Sequence, residues 1–239
     1  MPAAVGGPIF RGLVDIREQN EVIVRACKDF PNVFPFGLAL IEPRFGELGI
    51  EEAEKEMSKP EFVGVVGHPP MKEEVIPMIE VAAARGGLSN LHWHDKLMDQ
   101  TARMFPGARF IVHASAWAAE NLAKHDNLIF EVVQHPEGTR GEWDFKWFAD
   151  KVGRERLIFG ADLPYYDYRY LQRTLEEADC DDELKDLISH KNVISLINQY
   201  KPEWKMPEKP PVTHRVYDPK VLWACREDRP ERLTVDSVT

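Results

Sequence analysis

The chain has 239 residues, is 44% hydrophobic and 29% charged, and carries a formal net charge of −10. That length and apolar content suit a large α/β domain with a substantial core, while the acidic balance argues against nucleic acid and anionic membrane surfaces, both of which need a positive footprint. Cys27, Cys180 and Cys225 are scattered without CxxC spacing, the pattern of reduced thiols; no apolar run is long enough to span a bilayer, and the expected location is cytoplasmic.

Met1 to Gly7 are small and read as a frayed start. A helix is predicted over 18–29, where Val22, Ile23, Ala26 and Cys27 recur at helical spacing, and Pro31-Asn32 ends it. Val33 to Ile41 is a continuous apolar run, as expected of a strand buried on both faces. A charged helix follows over 50–57, then a strand over 62–66 that runs into Gly67-His68-Pro69-Pro70. The alternation continues with a helix over 74–85 stopped by Gly86-Gly87, a strand over 88–93, and a helix over 96–104 stopped by Pro106-Gly107. Next come a strand over 108–113, a helix over 116–124, a strand over 128–133 and a helix over 143–152. A short strand over 157–159 enters Gly160-Ala161-Asp162, and helices are predicted over 170–178 and 182–197.

Strand and helix thus alternate about six times, in units of roughly 30 residues, which is the rhythm of a parallel sheet with helical crossovers. Alternation alone does not separate a closed barrel from an open doubly wound sheet, but the GxGxxG fingerprint of dinucleotide binding is absent. Residues 1–200 are read as this domain. From Lys201 the composition shifts: Pro202, Pro207, Pro210 and Pro211 mark an extended linker, and 201–239 is read as linker and C-terminal arm.

The ionisable residues fall in a pattern. His68, His92, His94, His113, His135 after Gln134, and Asp162 all lie at the C-terminal ends of predicted strands. In a parallel barrel those ends form one face, and that face carries the chemistry. Imidazoles and a carboxylate suit a divalent ion such as Zn²⁺, or acid–base work. His92 and His94, two apart, point to one side of a strand, although the spacing equally allows a core histidine and a loop histidine. A lone His113 is more often structural, and Asp162 ahead of Pro164 also fits a helix cap or turn. Tyr165, in the run Tyr165-Tyr166-Asp167-Tyr168, either shapes a substrate pocket or simply starts a helix; His68 and His135 are the other candidates for substrate contact. His125, His190 and His214 read as solvated. No Gly-x-Ser-x-Gly elbow is present, so a serine nucleophile has little support.

Four segments resemble the amidohydrolase-related, decarboxylase-type family of metal-dependent barrels: Phe62 to Pro69, Phe105 to His113, Arg156 to Pro164, and Asn192 near the end of the following helix. The likeness covers about residues 15–198. It implies a TIM-like (β/α) barrel. It implies that His92, with His94 as the other possibility, matches the mid-barrel metal ligand, that Asp162 is both ligand and proton acceptor, and that His113 acts on the substrate or serves as a ligand. The family's first strand ends in a His-x-His pair, and no such pair precedes His92 here. The resemblance therefore implies a barrel lacking or substituting its first strand, with a divalent metal, Zn²⁺ foremost, held weakly or not at all. The implied activity is hydrolysis of a small carboxylated or cyclic substrate; non-oxidative decarboxylation, metal-independent lactonase-like chemistry and a non-catalytic binding barrel are the alternatives. An open strand edge invites a second chain, so a homodimer is expected, with the arm around Tyr217 to Trp223 covering the gap.

Overall fold

The computed structural model describes residues 12–67, 73–91, 96–133, 143–160 and 168–208. By its contacts the chain divides into Met1–Met206 and Pro207–Thr239, and every helix and strand described belongs to the first. The arm around Tyr217 to Trp223 lies outside the described residues.

Six strands form one sheet in sequence order: β1 (Gly37–Leu40), β2 (Phe62–Gly67), β3 (Leu88–Leu91), β4 (Arg109–His113), β5 (Leu128–Val132) and β6 (Leu157–Phe159). All pairs are parallel. Each strand falls within a residue of its predicted segment except β1, which is shorter at its start, and β3, which ends two residues earlier. α1 (Leu13–Asp29) precedes β1; the crossovers carry α2 (Glu47–Met57), α3 (Ile76–Ala83), α4 (Lys96–Met104), α5 (Ala116–Leu122) and α6 (Phe145–Val152); and α7 (Tyr168–Glu177), α8 (Asp182–Asp186) and α9 (Asn192–Tyr200) follow β6. Near β2 the approach is close enough to require glycine: a Cβ on Gly64 would overlap the Leu88 backbone.

Strand alternation divides the core in two. Leu38, Leu40, Val66, Leu88, Ile111, Ile129 and Ile158 turn inward and cluster with Ile16 of α1 and Leu196 of α9. Ala39, Val65, Leu91, Phe110, Val112, Phe130 and Leu157 face the surrounding helices. Having both faces buried is what makes parallel strands read as continuous apolar runs.

β6 does not pair with β1 among the described residues, and helices stand at the opening. The side chain of Asn20 in α1 acts as a strand surrogate on the outer edge of β1: its Nδ2 donates to the Leu40 carbonyl at 3.1 Å, and its Oδ1 accepts from the Leu40 N–H at 2.8 Å. α9 spans the gap from the other side. Asn192 Nδ2 donates to the carbonyls of Leu157 (2.7 Å) and Arg154 (2.8 Å) beside β6, while Tyr200 packs its ring edge-on to Phe36 just before β1, at 5.9 Å. The fold is a parallel (β/α) barrel in which α1 and α9 substitute for closing strands.

Two helical expectations change. α1 begins at Leu13, five residues earlier than predicted, because Ile16 extends its apolar face into the barrel and the Asp15 carboxylate accepts from the Gly12 N–H at 2.8 Å. The single helix expected over 182–197 is α8, a π turn over Leu187–Lys191, and α9. A π turn carries one more residue per turn than the α-helical ladder, and it ends at Asn192, the residue that anchors α9 to β6. Beyond α9 the chain stays on the barrel through Met206: Lys201 Nζ donates to the Pro60 carbonyl at 2.9 Å, and Trp204 Nε1 to the Asn32 carbonyl at 3.2 Å. No described helix is long and apolar enough to cross a membrane.

Candidate active site

The C-terminal ends of β3, β4 and β5 place polar side chains on the inward face, each continuing an apolar alternation. On β4, His113 follows Ile111 by two residues; on β5, Glu131 follows Ile129 by two. His113 and Glu131 are register partners. The His113 Nε2 lies 3.8 Å from the Glu131 Oε2, and each side chain is 12% exposed. A carboxylate so shielded is costly unless paired, and cross-strand neighbours are the nearest partners a sheet offers. The far side of Glu131 abuts β6, where a Cβ on Gly160 would collide with the Glu131 carboxylate. The strand ends are pinned by backbone bonds from the Ala114 N–H to the Glu131 carbonyl and from the Gly160 N–H to the Val132 carbonyl, both 2.8 Å.

Asn90 lies on the inward face of β3, between Val66 and Ile111 in the register. It is buried, and its Oδ1 has no hydrogen-bond partner among the described residues. Buried acceptors are almost always paired in native structures, and leaving one alone costs about 1–3 kcal/mol.

His68, His92, His94, His135, Asp162 and Tyr165 lie outside the described residues. Their places in the chain follow described strand ends: His68 is next to Gly67, His92 next to Leu91, and Asp162 two beyond Gly160. Of the candidate residues, the structure describes His113 and brings it to Glu131. The sequence reading missed Glu131, although a signal was there, since it is the one charge in the apolar run Leu128 to Val133. His125, read as solvated, is instead tucked against Asp99 with its Nε2 2.8 Å from the Asp99 Oδ1, because α5 packs its C-terminal end beside α4. A cleft of about 460 Å³ opens at the opposite end of the barrel, lined by Cys27, Lys28, Glu61, Lys201 and Trp204. In this architecture the N-terminal end serves stability rather than chemistry, and burial pushes the Cys27 thiol up from its ordinary value, which makes it a poor nucleophile.

Among the described residues no three His, Cys, Asp or Glu side chains gather as a metal site. The unpartnered Asn90 Oδ1 nonetheless fits a cation. It is a buried oxygen donor on the inward face, two residues before His92, and oxygen and imidazole donors together suit divalent ions.

No protein-family model matches the sequence, and no curated protein matches it. Solved structures do resemble it. A 2,6-dihydroxybenzoate decarboxylase from Rhizobium superposes with a TM-score of 0.58 at 13% identity, over 78% of this chain and 77% of that one. A 5-carboxyvanillate decarboxylase from Novosphingobium aromaticivorans, complexed with manganese and 4-hydroxy-3-methoxy-5-nitrobenzoic acid, gives 0.58 at 13% identity, over 77% and 69%. An amidohydrolase II gives 0.54 at 15% identity, over 80% and 82%. The architecture shared with these structures is the parallel (β/α) barrel. Those similar structures bear the names of decarboxylases and an amidohydrolase.

Proposed function

We propose that the chain is a metal-dependent enzyme that decarboxylates a small carboxylated ring substrate at the C-terminal mouth of the barrel. The observation carrying this reading is the inward-facing, largely shielded His113 beside Glu131 at the ends of β4 and β5. Cleaving a carboxylate from a ring carbon leaves an electron pair on that carbon, and a positioned acid must protonate it. On this reading His113 does that work: the bond to the carboxyl carbon breaks, CO2 leaves, the ring carbon takes the imidazolium proton, and water returns a proton to His113. His92 and Asp162, with His94 as third ligand, would hold the divalent ion, Zn²⁺ or Mn²⁺, which supplies Lewis acidity toward the substrate oxygens. His68, His135 and Tyr165 are the candidate substrate contacts. Two of the similar structures bear decarboxylase names and one of them was complexed with manganese and a ring acid, which favours decarboxylation over the hydrolysis that the amidohydrolase name would suggest.

The test is product analysis of the purified chain loaded with Mn²⁺ or Zn²⁺ against hydroxybenzoates and, in parallel, lactones and amides. Metal-dependent CO2 release from a hydroxybenzoate is the expected result, with His113→Ala lowering kcat by roughly 10²–10⁴-fold. Hydrolysis of a lactone or amide without CO2 release would transfer the site to the hydrolase reading. No metal-dependent turnover of either class would overturn both.

A further inference from the structure

We propose that Glu131 is a positioning residue for His113, orienting the imidazole across the strand pair, and that Gly160 leaves the space this carboxylate occupies. The inference rests on the proton-delivery role given to His113 above. β5 is otherwise apolar, with Leu128, Ile129, Phe130 and Val132 all buried, and its outward residues are committed to the helices. An acidic side chain on the inward face, with Ile129 behind it and Ile158 opposite on β6, weakens the sheet unless something there uses it. Its cross-strand partner is His113. The Nε2 to Oε2 distance of 3.8 Å is ion-pair range and exceeds a direct hydrogen bond; a bridging water or a small rotation on substrate binding closes it.

A carboxylate facing Nε2 selects the neutral tautomer that carries its hydrogen there, and so puts the ring's acceptor lone pair on Nδ1. In the conformation that faces His113, the Glu131 carboxylate already fills the space a Cβ on Gly160 would occupy, so it sits there only because no Cβ is present. Three strands thus contribute one device: β4 the imidazole, β5 the carboxylate, β6 the room.

A purely structural ion pair between β4 and β5 would affect stability and nothing else, so the test reads two quantities that stability does not move. The first is the tautomer of His113 in the metal-free chain, followed by ¹⁵N NMR of the imidazole. The parent should show the Nε2–H form, and Glu131→Ala a mixture. Gly160→Ala, which displaces the carboxylate without removing it, should shift the populations the same way. The second is steady-state kinetics of the metal-loaded chain. Glu131→Gln, which keeps the side chain's shape and serves if the alanine variant does not fold, should lower kcat roughly 10–100-fold with KM nearly unchanged, and Glu131→Asp should recover part of the loss. An unaltered tautomer together with an unaltered kcat, whatever the melting temperature does, would overturn the inference. If the parent chain turns over no substrate, the functional reading fails, and the NMR experiment still decides the role of Glu131.

Discussion

Asn20 and Asn90 are buried to nearly the same degree in one barrel, and they are opposites. Asn20 spends both ends of its amide on the backbone of Leu40 at the strand edge. Asn90, on the inward face near the mouth, has an oxygen that nothing pairs among the described residues. The contrast extends to their surroundings. At the edge and base, polar side chains are consumed by carbonyls: Asn192 by Leu157 and Arg154, Asn127 by Ala102 and Phe105, and Arg156 by Val152, His125 and Ala123. At the mouth, His113 and Glu131 face each other. A polar group satisfied by backbone holds the fold in place. One facing other side chains, or nothing, weakens the fold and is retained where it has a task.

Making the same substitution at both asparagines sharpens this division. Asn20→Leu removes two hydrogen bonds and strands the N–H and carbonyl of Leu40 inside the protein. The expected loss is about 3 kcal/mol, which lowers Tm by roughly 6–12 °C in a chain of this size. Asn90→Leu replaces an already unpaired oxygen with apolar volume of similar shape and should leave stability within about 1 kcal/mol of the parent. Thermal or urea melts of the two variants check this, and equal destabilisation at both sites would break the comparison. On the functional reading the order reverses: Asn90→Leu should reduce metal retention after dialysis severalfold, and Asn20→Leu should not, once both are measured well below their melting transitions.

The scaffold was legible in the sequence to the extent that it depends on local pattern. Six strands announced themselves because both of their faces are buried, and the proline and glycine stops bounded the helices between them. What pattern alone did not reveal were the long-range partnerships. Asn20 looks like any polar residue on a helix, since its partner Leu40 belongs to another element. The π turn over Leu187–Lys191 has no periodicity to separate it from a continuous helix. Glu131 was visible as the one charge in an apolar strand, but its meaning came only with the β4–β5 register that sets it opposite His113. His92, His94 and Asp162 are expected as ligands because strand ends of a parallel barrel converge, and they lie outside the described residues.

A smaller effect tests the base side of the comparison, at a charged cluster that supports α4 and α5 and takes no part in the mouth. The Asp99 carboxylate is 20% exposed and meets Lys124 and Arg103 at 2.7 Å and His125 at 2.8 Å. The hydrogen bond from Lys124 and then that from His125 hold its pKa down, from an ordinary 3.8 to about 2. A carboxyl group with a depressed folded-state pKa contributes stability above its unfolded value and loses it as pH falls through the folded one. For Asp99 that window runs from about pH 4 down to about pH 2, and the contribution is about 1 kcal/mol once solvent screening is allowed for. Asp99→Asn should therefore be less stable than the parent at pH 7, with the two curves converging by pH 2. Urea melts across that range read the difference directly. Added salt should narrow the gap at pH 7, because the two cationic side chains at Asp99 are largely exposed, Arg103 at 65% and Lys124 at 61%. A constant gap across the acid range would mean that packing by Asp99, rather than its charge, joins the two helices.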